Sequence, residues 1–190
     1  MKITILQRGG DKNDHDILES AALYYSKMLM STRMCNTLKL RIELRATKLE
    51  AGVLGECSTE NIGSKANKEF TIVMRRDEDI NSKLSTLAHE MVHVAQKATN
   101  ILQHRKWKSD NRYHTRWNGI DMGLSNSVPY NDRPWEKEAF ALQRTMFNAF
   151  ACHHNEHSVK EAQYKEQFNE KLKKHVVFER KKQKLPELAM

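Results

Sequence analysis

Two histidines four residues apart, with a glutamate directly after the first, occur as His89-Glu90-Met91-Val92-His93. On an α-helix, positions i and i+4 lie one above the other on one face. Two imidazoles so placed can bind one zinc ion, each at ~2.0–2.1 Å. Glu90 then lies beside the metal rather than on it, where a carboxylate can take a proton from the water to be activated. The chemistry expected is metal-dependent hydrolysis, with His89 and His93 as ligands and Glu90 as the catalytic base.

A catalytic zinc site usually takes three protein ligands and keeps one position open. The third must come from downstream, where Glu136, Glu138, His104, His114 and His153 are the candidates. An extended motif with a further histidine six residues after His93 is excluded, because that position is Thr99 and Gln96 stands where its glycine would be. In a helix beginning near Pro134, the residues Trp135, Ala139, Leu142, Met146 and Ala149 form one apolar stripe. Glu138 falls inside it, within ~40° of Leu142. A carboxylate there is costly unless it binds a cation or is well hydrogen-bonded. Glu138 is therefore expected to be the third ligand, with a buried salt bridge to an arginine as the competing explanation. Glu136 lies ~160° away around the helix and is expected to support the ligands from behind. Tyr130, Tyr113 and His114 are the groups that could lean over the metal and stabilise an oxyanion, and no spacing rule chooses among them.

These residues need elements to hold them. Around the histidines, Ser85, Thr86, His89, His93 and Gln96 form a narrow polar stripe on a helix whose other faces carry Leu84, Leu87, Ala88, Met91, Ala95 and Ala98. That helix opens at Asp77 or Asp79 as N-cap and runs to about Thr99. Before it, residues 37–46 alternate apolar and polar as a half-buried strand, and residues 69–76 (EFTIVMRR) read as a second strand. An earlier helix is expected at about 16–34, opened by the Asp16/Glu19 capping box. Residues 51–68 read as loop with one short strand at most, and Asn118-Gly119 marks a hairpin turn. Pro134 starts the helix of the apolar stripe, running to about His153. Ser158 and Glu161 open a last, basic helix that stops before Pro186.

Composition narrows the class. The chain has 190 residues, 39% of them apolar and 29% charged, with seven Gly and three Pro. That suits a single globular domain and excludes a disordered chain. Three separated cysteines exclude a disulfide framework and a four-cysteine zinc ribbon, and no apolar run could span a membrane. The N-terminus does not read as a signal peptide, so the expected location is the cytoplasm. The formal charge of +8 is concentrated in two segments. Residues 101–118 hold five Lys/Arg against one Asp, and residues 158–190 hold nine against five Glu. In the first of these, Arg105, Lys106 and Lys108 flank Trp107, a pattern that can meet phosphates and stack on unpaired bases. Nucleic acid is accordingly a candidate partner, beside a protein or peptide substrate.

TLAHEMVHVAQ, a hairpin with WNG, and YNDRPWEKEAF together resemble the SprT-like zinc metallopeptidases, especially short phage and prophage versions. The resemblance covers about residues 37–150. It implies an α+β, zincin-like domain: a small mixed sheet packed on helices, with the HExxH helix at its centre and the basic helix appended. Residues 1–157 would form the metallopeptidase domain, with 158–190 belonging to the same unit. The PWEKEA segment resembles the branch in which the glutamate directly before alanine binds zinc, which again selects Glu138. The resemblance also implies that FTIVMR, just before the metal helix, edges the cleft and takes an extended peptide. The function expected is zinc-dependent peptide-bond hydrolysis, with nucleic-acid-associated proteins among the candidate substrates. The alternatives are a nucleic-acid-binding protein with a structural metal, and a phage effector acting on one host target.

Overall fold

The computed structural model describes residues 2–7, 12–46, 53–59, 68–124 and 127–154. The basic C-terminal helix expected over 158–186, and with it the C-terminal part of the domain division, lies outside the described residues.

The alternating segment forms strand β2 (Lys39–Arg45), with Leu40, Ile42 and Leu44 buried and Lys39, Arg41 and Arg45 exposed. It is flanked by two parallel neighbours, β1 (Lys2–Gln7) and β4 (Glu69–Arg75). Parallel pairing needs a long crossover. Between β1 and β2 it is supplied by helix α1 (Lys12–Leu29) and the short α2 (Thr32–Thr37). The register sets Lys39 against Glu69, whose charges meet at 2.5 Å. The remaining strand, β3 (Gly55–Thr59), runs antiparallel on β4, and the sheet order is β1-β2-β4-β3. Thus β4 is an interior strand, and β3 occupies the edge expected of FTIVMR. Its burial agrees: Ile72, Val73 and Met74 are buried in succession, as in a strand covered on both faces.

Helix α3 (Ile80–Ala98) lies against β3, β4 and α1. Asp79 caps it, accepting hydrogen bonds from the backbone N–H of Asn81 and Ser82. Thirteen of its nineteen residues are buried, so packing on every side rather than propensity holds it. Its apolar residues join a core that includes Leu18, Tyr25, Leu40, Ile42, Phe70 and Ile72. The chain then forms a three-stranded antiparallel sheet, β5 (Leu102–Lys106), β6 (Tyr113–Trp117) and β7 (Ile120–Leu124). The turn between β6 and β7 is Asn118-Gly119, with φ of 49° and 81°, the left-handed pair that a type I′ turn requires. After a 3₁₀ turn at Tyr130–Asp132, helix α4 (Pro134–His154) crosses α3. Ala139, Leu142, Met146, Ala149 and Phe150 enter the main core, while Trp135 joins Ile101, Leu102 and Trp117 in a small satellite under the second sheet. The protein is therefore α+β, as expected. Helix α1 begins earlier and ends sooner than the expected 16–34, and β5 was not expected at all.

Candidate metal centre

The α3 face carrying His89 and His93 meets the first turn of α4. His89 Nε2 and His93 Nε2 lie 3.2 Å apart, and Glu136 Oε2 lies 3.3 Å from each. All three residues are buried. Ligands at ~2.0–2.2 Å in a tetrahedron around zinc stand roughly 3.3 Å from one another. The observed separations match that edge length. The third member of the cluster is Glu136 and not Glu138, which corrects the expectation from sequence.

Glu138 is buried for another reason. Its Oε2 accepts a hydrogen bond from Gln96 Nε2 at 3.0 Å, and the same amide donates to the Trp135 carbonyl at 3.0 Å. Both partners are acceptors, so the amide orientation is fixed and Gln96 Oε1 is the atom facing His93 Nδ1, at 2.8 Å. An oxygen there requires a hydrogen on Nδ1. Neutral His93 must then present a bare lone pair at Nε2. At His89, Nδ1 lies 3.2 Å from Gln143 Oε1, and Gln143 Nε2 lies 2.8 Å from Ser85 Oγ; with the amide in this orientation Nδ1 carries the hydrogen here too. Two imidazole lone pairs and a carboxylate oxygen thus converge with no hydrogen of their own among them. Acceptors at such distances repel unless a proton or a cation lies between them. The donor set and its spacing suit a divalent cation such as zinc.

The three groups also shift one another's titration. Burial pushes the Glu136 carboxyl up, but hydrogen bonds and charge from His89 and His93 outweigh it and hold the group well below the usual carboxylate range. Burial likewise pulls His93 down, and Glu136, Glu90 and Gln96 together raise it above its ordinary value. For Glu90, burial dominates and raises the carboxyl, while His93, His89 and Lys97 pull the other way.

A cavity of about 660 Å³ opens onto the cluster. Glu90 lines it without belonging to the converging set, as the spacing predicted. A Cβ built on Gly55 of β3 would lie 2.5 Å from Thr86 Cγ2 and 3.1 Å from Glu90 Oε1. Tyr130 also lines the cavity. Its phenol is pushed up to about 12, by burial and by the charge and hydrogen bond of Glu136, so it stays protonated and able to donate. His104 lines the cavity too, but it is not in the cluster. His114 does not line it: it sits on β6, 2.8 Å from Asp110 Oδ2 and stacked on Trp107 with ring centroids 4.3 Å apart. His153 stacks on Tyr24 far along α4. Of the expected oxyanion groups only Tyr130 reaches the site. Tyr113 is exposed on β6, and the Arg105, Lys106, Trp107 and Lys108 group forms the exposed end of the β5–β6 hairpin.

Sequence reasoning missed Gln143 and the part played by Gln96. One signal was available: Glu136, Phe140 and Gln143 are spaced i, i+4, i+7 and share a face. The Phe140 ring, 54% exposed, lies 4.7 Å from the His89 ring, so this face does meet the histidines. No family model, curated protein or solved structure matches this chain.

Proposed function

We propose that the protein is a zinc-dependent peptide-bond hydrolase of zincin-like architecture. The observation that carries this is the convergence of His89, His93 and Glu136 beside Glu90 in an open cavity. His89, His93 and Glu136 would hold one zinc ion, with their imidazole tautomers set by Gln143 and Gln96. Bound zinc would supply Lewis acidity, polarising the scissile carbonyl and acidifying water. Glu90 accepts the proton of the attacking water and returns it to the leaving amine. Tyr130 donates its hydroxyl hydrogen toward charge developing on the carbonyl oxygen. The edge strand β3, which lines the cavity from Gly55 to Cys57, suits pairing with an extended peptide.

The test is hydrolysis of casein by the zinc-loaded protein, with and without chelator. Cleavage should stop on chelation, return with zinc, and fall ~10²-fold or more in Glu90→Gln, which keeps its metal. Zinc loss in Glu90→Gln would instead make Glu90 a ligand, and activity indifferent to chelation would overturn the proposal. A second reading, nucleic-acid binding, is favoured by the exposed basic end of the β5–β6 hairpin. Replacing Arg105, Lys106 and Lys108 together should then flatten the salt dependence of binding to single-stranded DNA by ~3 charge contacts.

A further inference from the structure

His89, His93 and Lys97 are spaced i, i+4, i+8, so they lie along one face of α3, each ~6 Å from the next. The cavity follows this face. Beside His89 its wall is Phe140 and Gln143; one turn beyond His93 it is Lys97, and then Leu102 and His104 of β5, the strand that follows α3. Arg133 lines the cavity too, and its charge, like that of Lys97, acts on His104. This end of the cleft thus holds two permanent cations over a floor of Leu102 and Trp135, which are 2% and 4% exposed.

The charge of Lys97 acts on Glu90 at long range, without a direct ion pair. Among the described residues no carboxylate forms an ion pair with Lys97 or Arg133. Lys97 Nζ donates to the Cys57 carbonyl of the edge strand, which occupies one of its three hydrogens. Arg133 donates through Nε to the Val128 carbonyl at 3.0 Å and lies 5.4 Å over the Tyr130 ring, leaving its Nη groups for another acceptor. The carboxylates on the cavity wall are spoken for or remote in role: Glu136 faces the histidines, Glu90 stands beside them, and Glu56 is exposed on β3. Between the cations His104 is held neutral, at about 4, by burial first and then by Lys97, Arg133 and His93.

Resting on the peptidase reading above, we propose that the Lys97–Arg133 end of the cleft binds a carboxylate of the substrate peptide. That carboxylate is either an acidic side chain next to the scissile bond or the peptide's own C-terminus. The short reach from His93 to Lys97 places it within one or two residues of the bond cleaved. A phosphate would suit two cations as well, but the apolar floor and the narrow position between α3 and the edge strand favour a peptide over a nucleic-acid backbone.

The test is binding, so it does not depend on turnover. Zinc-loaded Glu90→Gln protein is titrated with dye-labelled decapeptides followed by anisotropy. One is C-amidated with two central glutamates, one has glutamines in their place, and one is the glutamine peptide with a free C-terminus. A single-stranded DNA decamer is the fourth probe. One carboxylate-bearing peptide should bind ~10-fold or more tighter than the neutral one. Which of the two does so identifies the source. The preference should vanish in Lys97→Gln and Arg133→Gln and persist in Lys97→Arg and Arg133→Lys, with zinc content unchanged throughout. Equal affinity for all three peptides, no binding of any, or a preference that survives both charge-removing substitutions overturns the proposal. Tighter binding of the DNA decamer with the same sensitivity assigns the site to phosphate and overturns it also. Failure of the peptidase reading shows separately, as absence of casein cleavage by the wild-type protein.

Discussion

Each histidine of the cluster is aimed by a glutamine. The Nδ1 of His93 bonds Gln96 and that of His89 bonds Gln143, and these contacts decide which ring nitrogen faces the centre. Partners of this kind typically contribute 10–100-fold in metal affinity. Gln96→Ala should weaken zinc binding by about that factor, as read by competition with a chromogenic chelator. An unchanged affinity in Gln96→Ala would mean the ring is held by packing alone. At this scale the sequence was half legible. The histidine pair and Glu90 needed only the helical repeat to be placed. The choice between Glu136 and Glu138 did not follow from any repeat, because both sit near the start of α4 and both are buried. Burial of Glu138 was a sound observation with a different cause, its bond to Gln96. Which carboxylate reaches the imidazoles depends on how α4 crosses α3, a tertiary fact.

Among the elements, β2, β4, α3, α4 and the Asn118-Gly119 hairpin announced themselves by periodicity, caps and turn chemistry. Strand β5 (LQHRK) did not, since its five residues mix apolar, polar and charged side chains without alternation. The place of β4 in the sheet was misjudged by resemblance, although three successive apolar residues, Ile72, Val73 and Met74, already pointed to cover on both faces. The edge strand that results, β3, leaves little room at Gly55 for a side chain beside Thr86 and Glu90. Here the missing side chain is the function of the residue. Gly55→Ala places a methyl group against Thr86 and Glu90, so β3, the Thr86 side chain or the Glu90 carboxylate must shift. A displacement of this order at a reacting group costs up to ~10²-fold in rate. Casein hydrolysis by Gly55→Ala should fall by ten-fold or more while zinc content stays at the wild-type level. Full activity would show that Glu90 has room to move without consequence.

For the molecule as a whole, the His89–His93–Glu136 cluster is also a clasp between two helices. The histidines belong to α3 and the glutamate to α4, and α4 further grips α3 through Gln143 and Glu138. No helix among the described residues is long and apolar enough to cross a membrane. One buried group ties global stability to pH. His104 titrates at about 4 in the folded chain and at 6.5 when unperturbed. Between those values the unfolded chain binds a proton that the folded chain refuses. Stability therefore falls as pH drops from 6.5 toward 4 and is unaffected by His104 above 6.5. Urea titrations at pH 7.5 and pH 5 should show a smaller acid loss in His104→Gln than in wild type. An equal loss in both proteins would place the sensitivity elsewhere.

The central claim is that His89, His93 and Glu136 form one metal site, and zinc stoichiometry after exhaustive dialysis tests it most directly. Wild-type protein, Glu136→Ala and Glu138→Ala are loaded with zinc, dialysed together and measured by atomic emission. The structure predicts about one zinc per chain in the wild type, near-complete loss in Glu136→Ala, and retention with weakened affinity in Glu138→Ala, whose carboxylate acts only through Gln96. Full retention in Glu136→Ala with loss in Glu138→Ala, or no zinc in the wild-type protein, would contradict it.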